Sequence, residues 1–69
     1  MIVGIIGSGG REHAICHALN KSKKIDKIYC FPGNAGTDSI AENIKIDINK
    51  FEEIKNFIFS KKIELVVIG

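Results

Sequence analysis

Two short stretches hold most of the residues that could do chemistry. The first, GSGGREHA, begins at Gly7 and sets glycines at 7, 9 and 10 directly before Arg11, Glu12 and His13. Where such a run joins a strand to a helix, backbone N–H groups lack partners, the helix dipole is positive and absent side chains let an oxygen come close. Together these make an anion site. Arg11 in the first helical turn would add a planar, charged donor suited to phosphate, and its cation is otherwise out of place at a helix start. A tight turn can need glycine for positive φ alone, but three glycines in four residues exceed what one turn requires. Glu12 could accept a hydrogen bond from an amine or a sugar hydroxyl, although an acid in a first turn is also favoured by the dipole alone.

The second stretch, PGNAGT, starts at Pro32 and consists of ordinary turn residues. Two glycine-rich loops side by side at one edge form a cradle that suits a small phosphorylated sugar better than a flat dinucleotide. The dinucleotide fingerprint asks for a third glycine at position 12 and an acid about twenty residues further on. Here position 12 is glutamate and residues 27–37 contain no acid, so NAD is disfavoured. No Lys-Ser or Lys-Thr pair directly follows the glycines, which removes the P-loop as well. His13 and His17 stand four apart, a helical spacing that could hold a metal. On a helical wheel they point away from Ile15 and Leu19, so His17 reads as a solvated side chain, while His13 lies nearer the loop and could reach a ligand there.

The elements that must position these loops alternate between strand and helix patterns. Residues 2–6 are β-branched except for Gly4 and read as a strand buried on both faces. Residues 11–21 carry Ile15, Ala18 and Leu19 at helical spacing. In a second strand over 27–31, Ile28 and Cys30 share one face, Tyr29 and Phe31 the other. Ile44, Ile46 and Ile48 alternate in a third strand over 43–48, half buried and near a sheet edge. Asn49 then has the spacing of an N-cap with Glu52 three residues on, above an apolar stripe of Phe51, Ile54, Phe57 and Ile58 that ends at Lys61 and Lys62. Residues 65–68 form a last strand, apolar at every position. Such alternation predicts an α/β fold, a Rossmann-like, doubly wound and mainly parallel sheet. The loops after its strands then share the carboxyl edge, where these sheets bind ligands.

The chain has 69 residues, enough for a single small domain. With 45% hydrophobic and 26% charged residues its composition is that of a globular protein, and it holds no repeat or low-complexity tract. Ten Lys/Arg against eight Asp/Glu give +2, and the lysines are scattered without interleaved aromatics, which is too little for a nucleic-acid footprint. Lys21, Lys23, Lys24 and Lys27 are densest, where cations suit a helix C-terminus. Cys16 and Cys30, with no CxxC motif, read as buried or half-buried free thiols of a reducing compartment. The opening MIVGII is too short to span a membrane and lacks a basic leader, so a cytoplasmic protein is expected. An all-apolar last strand wants cover on both faces, which suggests the front part of a longer protein. A short chain with that strand uncovered is expected to be of low stability.

In order and spacing, GSGGREHA, PGNAGT and the closing LVVIG resemble the N-terminal domain of the phosphoribosylamine–glycine ligases, or glycinamide ribonucleotide synthetases. The resemblance covers essentially the whole chain, residues 1–69, as one substrate-side domain. It implies a purine-biosynthesis ligase of the ATP-grasp type. In that family ATP, with Mg2+ or Mn2+, phosphorylates the carboxylate of glycine, and the amine of 5-phosphoribosylamine displaces phosphate to give glycinamide ribonucleotide. Carried over by position, Gly7, Ser8, Gly9, Gly10, Arg11, Glu12 and His13 would be the first loop of the phosphoribosyl cradle. Pro32, Gly33, Asn34, Ala35, Gly36 and Thr37 would be the second. The family's Pro-Glu pair after strand four and its ATP-grasp lobes, with the nucleotide and metal ligands, are not among these residues. The resemblance therefore assigns no catalytic or metal-binding residue here and implies that the segment alone is inactive. The other function open to such a segment is a stand-alone nucleotide-binding or regulatory Rossmann-like module.

Overall fold

The protein is described by a computed structural model covering residues 1–7 and 9–68. Its elements are β1 (Ile2–Gly7), α1 (Gly10–Asn20), β2 (Lys27–Pro32), a 3₁₀ turn (Thr37–Ser39), β3 (Glu42–Asn43), α2 (Phe51–Ser60) and β4 (Leu65–Ile68). The four strands form one sheet in the order β3-β2-β1-β4, every pair parallel. This is the α/β architecture expected from the alternating pattern. Ladder register sets Ile5 beside both Cys30 and Val67, so β1 is interior, as is β2 between β1 and β3.

Alternation along the strands divides the core into two layers. Val3, Ile5, Ile28 and Cys30 face α1, where Cys16 joins them, with Ile15 and Leu19 packed alongside. Tyr29, Phe31 and Ile63 face the other way, against Phe57 and Ile58 of α2. The Phe57 ring meets Tyr29 and Phe31 edge-on, at centroid distances of 5.1 and 5.3 Å. Edge-to-face pairs of this kind add about 0.5–1.5 kcal/mol each beyond the area they bury.

The expected third strand is shortened. Only Glu42 and Asn43 pair with β2, and one further rung joins Ile44 N–H to the Cys30 carbonyl at 2.7 Å. The next rung of a parallel ladder would take an N–H from residue 32 to the Ile44 carbonyl, and Pro32 has no N–H to give. The Ile46 N–H takes that carbonyl instead, at 2.8 Å. Ile44 and Ile46 still pack into the α2-side layer, so their alternation records burial without a strand, while Ile48 is exposed.

The start of α2 also departs from expectation. The side chain of Asn49 does not cap it. The Asn49 N–H instead donates to Asp47 Oδ1 at 2.9 Å, the Lys50 N–H donates to the Asp47 carbonyl, and the helix begins at Phe51. Phe51 stands 75% exposed, so the buried stripe comprises Ile54, Phe57 and Ile58 only. Lys62 closes the helix with φ of 57°, and Ile63 N–H donates back to the Ile58 carbonyl. In β4, Val66 and Val67 are half buried, one in each core layer, whereas Leu65 and Ile68 are exposed. No helix among the described residues is long and apolar enough to cross a membrane.

Candidate functional site

Parallel strands put the ends of β1 and β2, and the loops that follow, at one edge of the sheet. Hydrogen bonds tie those loops together: the Gly33 N–H donates to the Gly7 carbonyl at 3.2 Å, and Asn34 Nδ2 donates to the Gly9 carbonyl at 3.1 Å. The His13 ring, from the second turn's start in α1, lies against Gly36, where an added Cβ would come within 2.7 Å of Nδ1. Gly7, Gly9, His13, Gly33, Asn34 and Gly36 are thus assembled into one surface. Ser8 lies outside the described residues.

The glycines of the first loop do unequal jobs. Gly7 has φ of 143°, and a Cβ there would sit 2.6 Å from Cγ of Glu12. The Glu12 side chain folds back under the turn and is only 8% exposed, its Oε2 also lying 2.9 Å from where a Gly9 Cβ would be. Much of the glycine density therefore makes room for this chain's own carboxylate. Gly10 differs, with open space where its side chain would be. Beside it Arg11 is exposed and forms no ion pair among the described residues.

The second loop is knit internally. Asn34 and Thr37 exchange bonds, Asn34 N–H donating to Thr37 Oγ1 at 2.8 Å and Thr37 N–H to Asn34 Oδ1 at 3.0 Å. The buried Thr37 hydroxyl donates to Asn43 Oδ1 at 2.7 Å, and Asn43 Nδ2 donates to the Asn34 carbonyl at 2.8 Å. Gly33, at φ of 76°, leaves the space that the Asn43 amide fills. Asn43 was invisible as a loop residue in the sequence because it belongs to the next strand. Its only local signal is a polar residue before an apolar alternation.

A cavity of about 440 Å³ opens on the flank of the second loop, lined by Pro32, Gly33, Asn34 and Ala35 with Asp38, Asn43 and Lys45. A larger one, about 590 Å³, lies around the start of β2, lined by Asp26, Lys27, Asp38 and Glu42 among others. Its charges are largely satisfied within the fold: Lys27 Nζ pairs with Glu42 at 3.1 Å, and Asp26 holds the N-terminal ammonium, whose pKa this contact raises. It includes none of the glycine-loop residues, so size is a poor guide to the site here.

His17 is exposed in the last turn of α1. No group of three His, Cys, Asp or Glu side chains able to hold a metal occurs among the described residues. Cys16 and Cys30 are free and buried, as the sequence suggested. Burial raises both thiols, and Cys30, with Cys16 against it, is pushed up to about 12. At neutral pH neither is an activated nucleophile.

The chain as a whole has counterparts among known proteins. The family model described as phosphoribosylglycinamide synthetase, N domain, matches residues 1–69. Phosphoribosylamine–glycine ligase of Caldanaerobacter subterraneus subsp. tengcongensis is 45% identical over 69 residues, covering 100% of this chain and 16% of the relative. The Synechocystis enzyme of the same name is 44% identical over 71 residues, covering 100% and 17%. Among solved structures, phosphoribosylamine–glycine ligase from Thermotoga maritima superposes with a TM-score of 0.71 at 37% identity, over 100% of this chain and 16% of that one. The chain spans about one sixth of the length of these relatives. With the family model matching from end to end, and the paired glycine loops standing on the same parallel sheet, the chain belongs to the phosphoribosylglycinamide synthetase family, in its N domain.

Proposed function

We propose that this chain is the substrate-side domain of a ligase that joins glycine to 5-phosphoribosylamine, giving glycinamide ribonucleotide, ADP and phosphate, and that its two loops hold the phosphoribosyl part. The observation that carries this is the cross-braced edge, in which Asn34 fixes the second loop to the Gly9 carbonyl and leaves Gly10 and Arg11 facing outward. An anionic oxygen at Gly10 would meet the positive end of α1 and the Arg11 guanidinium. Glu12 offers the opposite chemistry. Its carboxylate has no hydrogen-bond donor among the described residues and suits an amine or a hydroxyl at the inner end of the same loop. His13, held against Gly36, stands between the two loops as a further contact for the sugar.

ATP and a divalent cation, Mg2+ or Mn2+, complete the proposed reaction. The residues of this chain supply no metal-ligand cluster among those described, so no step involving the nucleotide or its metal is assigned to them. Their part is to bind and orient the amine-bearing sugar. A stand-alone dinucleotide module is less well supported, because position 12 is glutamate where the dinucleotide fingerprint has its third glycine, and residues 27–37 hold no acid for a ribose hydroxyl.

The deciding assay follows ADP release by the complete gene product. ADP should appear only when glycine and freshly generated phosphoribosylamine are both present, and ribose 5-phosphate should inhibit in competition with the amine. Nucleotide binding without such dual dependence would replace the ligase proposal with the regulatory-module one.

A further inference from the structure

β3 also delivers its chain to the carboxyl edge. There the Ile46 N–H donates to the Ile44 carbonyl at 2.8 Å, a three-residue turn with Lys45 at its apex. Ile44 and Ile46 are both packed against the Tyr29, Phe31 and Ile63 layer, so the backbone on each side of Lys45 is anchored in the core while Lys45 itself is exposed. Lys45 lines the cavity of about 440 Å³ beside the second loop. That volume lies within the roughly 300–1,000 Å³ range of small-ligand sites. Lys45 has no ion pair among the described residues, and the one carboxylate on the same wall, Asp38, is not bridged to it. A compact ammonium with three donors thereby lines the cavity beside Gly33, with no ion pair to the Asp38 carboxylate.

We propose that this cavity is an anion subsite with Lys45 as its charged donor, and that it takes the phosphate of a phosphate monoester whose sugar lies over the two loops. The proposal rests on the phosphoribosyl assignment above and adds to it a residue from the third edge segment. Arg11, on the first loop, is exposed and is not part of the cavity wall. Asp38 sets the opposite sign: its charge opposes an incoming phosphate and limits affinity.

Calorimetric titration of the complete gene product with ribose 5-phosphate, ribose and inorganic phosphate at low ionic strength tests this. Lys45→Gln should weaken ribose 5-phosphate and phosphate by roughly tenfold, the size of one charge-assisted hydrogen bond, and leave the thermal midpoint unchanged. Asp38→Asn should tighten both by about two- to threefold, and added salt should shrink both differences. Equal binding of ribose 5-phosphate by Lys45→Gln and the unaltered protein would overturn the subsite and leave the loops as the sugar-phosphate site. Absence of ribose 5-phosphate binding by the unaltered protein would overturn the loop assignment and the subsite together.

Discussion

The two edge loops use glycine for different ends. In the second, glycine serves the loop's own architecture: Gly33 makes space for the Asn43 amide, and the Asn34, Thr37 and Asn43 side chains exchange bonds until little of their polarity is left over. In the first, Gly7 makes space for Glu12, but among the described residues Gly10 clears nothing and Arg11 beside it has no acidic partner. The second loop is therefore a rigid wall and the first an open donor face. A glycine-rich stretch is evidence for a ligand only to the extent that its glycines are not already required by neighbouring side chains.

Breaking the wall should have the largest effect. Gly33→Ala places a Cβ at φ of 76° against the Asn43 amide and 2.8 Å from Thr37 Oγ1. Both are held by hydrogen bonds and cannot swing away, so a loss of about 3 kcal/mol is expected in urea unfolding. A midpoint within error of the parent would show that the loop relaxes freely. Thr37→Val comes next. It keeps the shape but leaves Asn43 Oδ1 and the Asn34 N–H without the buried hydroxyl they share, at a cost of about 2 kcal/mol by the same measurement.

The framework that carries these loops was largely legible beforehand. β1, α1, β2 and β4 each fall within a residue of the spans read from periodicity, because parallel strands that line the core and the helix that covers them are regularly patterned. What escaped was decided by partners that periodicity does not reveal, one distant and one local. The third strand stops where Pro32, twelve residues before Ile44 and on the neighbouring strand, cannot donate. The cap of α2 passed from Asn49 to a turn at Asp47, two acceptor side chains competing within three residues. At the site, the position of the two loops could be inferred from strand order. The brace from Asn43 and the apex position of Lys45 could not, since both depend on how the chain leaves β3.

A double-mutant cycle would sharpen the first-loop half of the comparison. Gly7→Ala should cost about 2 kcal/mol, partly from φ of 143° and partly from the Glu12 side chain beneath it. In a Glu12→Ala background only the backbone component remains. The expected coupling is about 1 kcal/mol. Additive costs would mean that Glu12 moves aside without penalty and that Gly7 is required for its backbone conformation alone.

Gly10→Ala should change stability least and discriminate best. It is the first residue of α1, its side-chain direction is open, and alanine is the better helix former, so urea unfolding should shift by no more than about 0.5 kcal/mol, in either direction. If the open space exists for a ligand oxygen, the new methyl group occupies it, and ribose 5-phosphate affinity should fall severalfold although the fold is untouched. Gly33→Ala would present the opposite signature, with stability lost first and binding lost as a consequence. Should Gly10→Ala bind ribose 5-phosphate as tightly as the parent, the first loop would be shown to keep its glycines for Glu12 alone, and the donor face would have to be sought at Arg11 and beyond.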